Sequence, residues 1–127
     1  MEKIYTEQAP AAVGPYSQAT VVNGMVYTSG QIALNPETGK LVGETIEEQA
    51  EQVMKNLAAV LEAAGTKPEN AVKTLCFLTD MADFAAFNEV YARYFTGKPA
   101  RSCVEVSALP KDGLVEIEIT AVRQTEA

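Results

Sequence analysis

The chain has 127 residues, 47% of them hydrophobic and 21% charged, a balance that suits one globular domain over 1–127 with its own core. It contains no histidine, which excludes Ser-His-Asp and Cys-His catalysis, HExxH metal sites and imidazole acid–base chemistry together. Its net charge of −7 sets most of the surface against a nucleic-acid backbone, and no stretch approaches the roughly 20 apolar residues of a membrane span.

The opening MEKIYTEQAP has no apolar core and is not rich in arginine, so no targeting peptide is read and a cytoplasmic location is expected. In SQATVVNGMVYTSGQ, two β-rich runs flank Asn23-Gly24, the pair favoured in two-residue type I′ hairpins, which predicts strands near 17–22 and 25–29. NPETG at 35–39 is a turn or loop. A helix is predicted over 45–64: Thr45 and Glu48 have capping-box spacing, and Ile46, Ala50, Val53, Leu57, Val60, Leu61 and Ala64 recur at three- and four-residue steps. Gly65 and then Pro68 stop it.

AVKTLCFLT at 71–79 reads as a buried strand. A second helix starts at Asp83 and carries an apolar stripe of Phe84, Phe87, Val90 or Tyr91, Tyr94 and Phe95, ended by Gly97 and Pro99. Strands near 101–106 and 115–123 complete the order ββ-α-β-α-ββ. That order predicts an α+β fold, one layer of mostly antiparallel sheet with both helices on one face.

The pleat then sorts the last two strands. Val115, Ile117, Ile119 and Ala121 point one way, and Glu116, Glu118 and Thr120 the other. In the strand before, Ser102, Val104 and Val106 share a face opposite Arg101, Cys103 and Glu105. With the apolar sets against the helices, Arg101 and Glu116 are expected near one another on the open face. A small domain with one open sheet face commonly closes it by oligomerising, which places such polar groups in a cleft between subunits.

Each of these residues also has an ordinary reading. Alternating glutamates on a strand usually form a solvated face, and an arginine after a helix stop is usually an ion-pairing residue. Cys103 is a small core hydrophobe on this view, Cys76 and Cys103 are reduced thiols, and VGPYSQA is a turn with Tyr16 packed beside it. Physical reading alone reaches an anion-binding cleft and no reaction.

The same residues carry a resemblance. GPYSQA at 14–19, TSGQI at 28–32, DFAAFNEVYARYF at 83–95 and PARSCVEVSALPKDGLVEIE from Pro99 resemble the RidA/YjgF family of reactive-intermediate (enamine/imine) deaminases, over nearly the whole chain and without a gap. The resemblance implies a chorismate-mutase-like subunit in a homotrimer with a cleft at each interface. It implies hydrolysis of 2-imino or 2-enamino acids, such as 2-aminoacrylate or 2-iminobutanoate, to 2-oxo acids and ammonia. Such intermediates are released by pyridoxal-phosphate-dependent dehydratases, which makes these enzymes functional partners. On the matching positions, Arg101 takes the substrate carboxylate and Glu116 holds the attacking water, while Tyr16, Ser29, Gly30, Asn88 and Cys103 shape the pocket. No metal and no organic cofactor are expected. Two other readings compete: a regulator that binds 2-oxo acids or amino acids without turnover, and an endoribonuclease or translation inhibitor, which the charge of −7 and the missing histidines disfavour.

Overall fold

The computed structural model describes residues 1–124. Six strands and two helices run in the order β1 (Glu2–Ile4), β2 (Ala19–Val22), β3 (Met25–Thr28), α1 (Ile46–Ala63), β4 (Ala71–Leu78), α2 (Phe84–Tyr94), β5 (Ala100–Glu105) and β6 (Val115–Val122). They form one sheet of order β1-β2-β3-β6-β4-β5, antiparallel throughout except for the parallel pair of β4 with β5. The expected α+β layer is therefore the observed one. β1 was not expected, because three residues carry no periodicity; its existence rests on pairing Glu2–Ile4 with Ala19–Val21.

Local signals place the elements. Asn23 and Gly24 have φ of 51° and 76°, the left-handed pair that a type I′ hairpin requires between β2 and β3. Thr45 caps α1, accepting from the Glu48 amide while the Glu48 side chain accepts from the Thr45 amide. All seven stripe residues of α1 are buried. In α2, Phe87 and Val90 take the fully buried positions, leaving Phe84, Tyr91 and Tyr94 half-exposed beside them.

The core lies between the helices and one face of the sheet. Val26, Ala121, Ile119, Ile117, Val115, Cys76 and Leu78 are all within 1% of complete burial on that face. Register shows which residues share it: Thr74 lies opposite both Ile119 and Arg101, and Cys76 opposite both Ile117 and Cys103. The other face carries Tyr27, Leu75, Phe77, Val104, Glu116, Glu118 and Thr120, and no element among the described residues covers it.

The loop after β3 is pinned to α1 by one polar side chain. Asn56, 1% exposed, donates through Nδ2 to the carbonyls of Ile32 (3.2 Å) and Leu34 (2.9 Å), and its Oδ1 accepts from Gln52 Nε2 (2.9 Å). Replacing it with leucine keeps the volume but leaves two carbonyls without their donor. Asn56→Leu is expected to lower stability by about 2–4 kcal/mol. Urea unfolding that shifts in midpoint without a change of slope checks this.

Candidate active site

β3 ends at Thr28, and Ser29, Gly30 and Gln31 continue from it toward the centre of the sheet. Gln31 exchanges backbone hydrogen bonds with Ile117 in β6 (2.9 and 3.2 Å), which lays Gly30 against the neighbouring Glu116. The approach is close: a Cβ at position 30 would meet Glu116 Cδ at 2.8 Å and Oε2 at 2.9 Å, so any other residue would force the carboxylate to shift. Ser29 donates from Oγ to the carbonyl of Ser17 (2.6 Å), and its amide donates to the Gln18 carbonyl (2.9 Å). Those bonds tie in the turn that presents Tyr16, whose side is 54% exposed. Gln18, itself buried, secures the preceding loop by donating to the carbonyls of Thr6 (3.0 Å) and Pro10 (2.8 Å). Tyr16, Ser29, Gly30 and Glu116 thus belong to one continuous assembly.

Glu116 sits half-buried on the open face. Burial first, and the neighbouring Glu118 charge second, raise its pKa above 4.5. A carboxyl group weakened in this way is better suited than an ordinary one both to accept a proton and to return it.

Arg101, Asn88 and Cys103 form a second assembly. Arg101 Nη1 donates to Asn88 Oδ1 at 2.8 Å. The guanidinium lies over the ring of Tyr91, 4.6 Å from its centroid, and 5.3 Å from that of Phe84. Among the described residues no carboxylate comes within 4 Å of it, so its fork stays open to an anion. The cleft beside it is lined by Asn88, Tyr91, Phe95, Lys98 and Pro99 and contains no acidic side chain. Cys103 follows two residues later on the same face. Burial raises its thiol pKa against the opposing pull of Arg101, and burial together with Cys103 carries Cys76 to about 12. Both thiols are protonated and unsuited to attack.

One expectation is overturned here. Arg101, Cys103 and Glu105 were placed on the open face with Glu116, and Ser102, Val104 and Val106 against the helices. Register puts Arg101 and Cys103 level with Thr74 and Cys76 on the helix face, and Val104 level with Phe77 and Glu116 on the open face. Val104 is 47% exposed there. The reason is the position of β5: as the edge strand beyond α2 it has no core above it, so a polar side chain can occupy the helix side. In one copy, therefore, Arg101 and Glu116 stand on opposite faces of the sheet.

Tyr91 and Phe84 were read only as packing residues. Their spacing on α2 identifies a stripe, and nothing in spacing reveals that an arginine from β5 will lie on them. Among the described residues no group of three histidine, cysteine, aspartate or glutamate side chains is arranged to hold a metal ion. No helix among them is long and apolar enough to cross a membrane.

Comparison with known proteins fits this geometry. Residues 6–123 match the family described as Endoribonuclease L-PSP. A RutC family protein of Synechocystis sp. is 57% identical over 128 residues, covering 98% of both chains. The 2-iminobutanoate/2-iminopropanoate deaminase of Mus musculus is 50% identical over 121 residues, covering 94% of this chain and 90% of its own. The structure of RidA from the Antarctic bacterium Psychrobacter sp. superposes with a TM-score of 0.91 at 48% identity, covering 96% of this chain and 99% of its own.

Two expectations follow from Glu116. Gly30→Ala is expected to fold, because a carboxylate side chain can swing aside, yet to displace Glu116 and lower turnover by roughly 10²-fold. Near-unchanged melting beside lost turnover checks it. Activity that needs the Glu116 carboxylate should fall, as pH drops, at a pH above 4.5. Glu118→Gln removes the lesser cause of the raised pKa, so it should move that acid limb to lower pH without abolishing it. Stability has the opposite sign: a raised folded-state pKa means stability declines as pH rises through it, so Glu116→Gln should melt no lower than the parent at pH 7.

Proposed function

Because the chain belongs to the Endoribonuclease L-PSP family, which takes in the RidA/YjgF proteins that its motifs resemble, we propose that it hydrolyses 2-imino acids to 2-oxo acids and ammonia. The name borne by the mouse relative supports this activity. The observation that carries it is the pair of half-sites, an arginine fork with no carboxylate partner and an acid weakened by burial.

The substrate is a planar carboxylate joined to an electrophilic C=N carbon. Arg101, flattened on Tyr91 and steadied by Asn88, receives the carboxylate through paired donors, a geometry that lysine lacks. The imine nitrogen carries a proton, so C2 is already activated. Water adds to C2 while Glu116 accepts its proton, giving a tetrahedral amino alcohol. Glu116 returns that proton to nitrogen and the C2–N bond breaks. Ammonia leaves, and loss of the remaining hydroxyl proton forms the carbonyl of the 2-oxo acid. No step calls for a metal or an organic cofactor.

The two half-sites must face each other, and one copy cannot bring them together across its own sheet. A homotrimer supplies the solution: the Arg101 side of one subunit meets the Glu116 side of the next, with Tyr16, Ser29 and Gly30 arriving alongside Glu116. The uncovered face, with Tyr27 and Val104 more than 40% exposed, gives the apolar surface for that contact.

Mixing two dead variants tests both parts of the proposal. Arg101→Ala and Glu116→Gln should each lower turnover by roughly 10²-fold or more, assayed on imines generated in situ by a serine or threonine dehydratase. Co-refolded in equal amounts they should recover about a quarter of parental activity, since one site in four then combines an intact Arg101 with an intact Glu116. Mixed oligomers that recover nothing would overturn the shared site. Parental protein that binds 2-oxobutyrate without hydrolysing imines would favour a regulator instead, and salt-sensitive RNA cleavage would favour the nuclease.

A further inference from the structure

Thr74 is a hydroxyl in the middle of an apolar row. It is 0% exposed on β4, between Ile119 of β6 and Arg101 of β5 in register. Its close partner is the Tyr91 hydroxyl, 2.7 Å away across the layer from α2, and its oxygen also accepts a long bond from the Cys76 thiol at 4.0 Å. The same tyrosine ring lies under the Arg101 guanidinium and packs between Phe87 (centroids 5.7 Å) and Phe95 (4.3 Å). Burial raises the Tyr91 pKa, so the phenol stays protonated and able to share this bond.

A hydroxyl pair with one buried and one half-buried partner is a poor way to stabilise a core. Replacing both partners by apolar groups of the same shape is commonly neutral or stabilising, whereas removing one leaves the other unsatisfied. Valine and phenylalanine would fill these two positions. What that apolar pair could not do is fix the ring along its own plane. The rings of Phe87 and Phe95 meet Tyr91 at tilted angles of 53° and 34°, apolar contacts with no directional bond along its plane. The bond to Thr74 pins the far end of the ring to the strand position next to Arg101, so ring and guanidinium share one anchor.

We propose that the Thr74–Tyr91 hydroxyl pair positions Arg101, with Tyr91 acting as a platform that holds the guanidinium plane in line with an incoming substrate carboxylate. Neither residue touches the reacting atoms. The inference rests on the assignment of Arg101 as carboxylate clamp, and it identifies Tyr91 and Thr74 as positioning residues for that clamp.

Stability and affinity should then separate. Thr74→Val takes the partner from the half-buried Tyr91 hydroxyl and Tyr91→Phe from the buried Thr74 hydroxyl, so each should melt lower than the parent, the second more so, and bind 2-oxobutyrate roughly fivefold to tenfold more weakly. The double variant Thr74→Val/Tyr91→Phe should regain the parental melting temperature but keep the weakened binding, and its kcat/KM should fall with it. Thr74→Ser, which retains the hydroxyl, should bind as the parent does. A double variant that recovers affinity along with stability would reduce the pair to a packing feature and overturn the inference. Calorimetric binding of 2-oxobutyrate reads the effect even if imines are not turned over, so failure of the platform and failure of the deaminase reading are distinguishable. Loss of 2-oxobutyrate binding in Arg101→Ala, with binding intact in the parent, establishes that the clamp itself is being read.

Discussion

In the parallel pairing of β5 with β4, Thr74 lies level with Arg101 and Cys76 level with Cys103, and side chains level in register share a face. On the other side of β4, the antiparallel pairing with β6 sets Glu116 level with Phe77, one residue out of phase. These two registers turn the arginine toward α2 and the glutamate toward the uncovered face. Everything chemical in the molecule follows from that division. The arginine gains an aromatic bed and an amide partner from α2, which only the helix side can supply. The glutamate gains a glycine to lie against and a half-buried setting between Glu118 and apolar neighbours, which only the open side can supply.

The division also binds assembly to activity. The open face carries Tyr27, Val104 and Val122 at 45–47% exposure, with Leu75 and Phe77 half-buried beside Glu116 and Glu118, and this apolar area is what the proposed trimer would cover. In the proposed assembly, covering it would remove water from around Glu116, which raises a carboxyl pKa, while the incoming arginine charge would pull the other way. In the proposed trimer, the contact that hides apolar area is also the one that would deliver the arginine of the next subunit.

Much of the fold was legible because its signals are local. The Asn23-Gly24 turn, the Thr45–Glu48 cap and the α1 stripe each depend on residues within a few positions of one another, and each is present as read. The sidedness of β5 was not legible. Its rule of apolar residues inward holds for a strand with core above it, and β5 lies at the edge, where α2 offers ring faces and Asn88 instead of a closed interior. The pairing that decides the face joins positions 74 and 101, far apart in the chain, and alternation within one strand carries no information about its neighbour. The candidate site residues came from motif likeness, and the structure sorts them into two assemblies, a distinction absent from any linear motif. Thr74 stayed hidden for a simpler reason: in AVKTLCFLT a threonine reads as an ordinary β-former.

A chain without histidine has to find a group that exchanges protons near neutrality among carboxylates, thiols and phenols. Here the thiols move the wrong way. Burial lifts Cys103, and Cys76 to about 12, and the Arg101 charge acts against that lift in both without reversing it. Tyr91 is pushed up by burial too, so it can hold a hydrogen bond but not take a proton. Burial has the opposite chemical meaning for a carboxyl group, whose ordinary pKa starts well below neutrality. The same desolvation that disables a thiol brings Glu116 toward the working range. Placing the thiol beside the cation and the acid away from it keeps the two effects from cancelling within one copy, since an arginine next to Glu116 would pull its pKa back down. The sheet thus keeps Arg101 and Glu116 apart within one copy, and in the proposed trimer the two charges would meet only across the contact between copies.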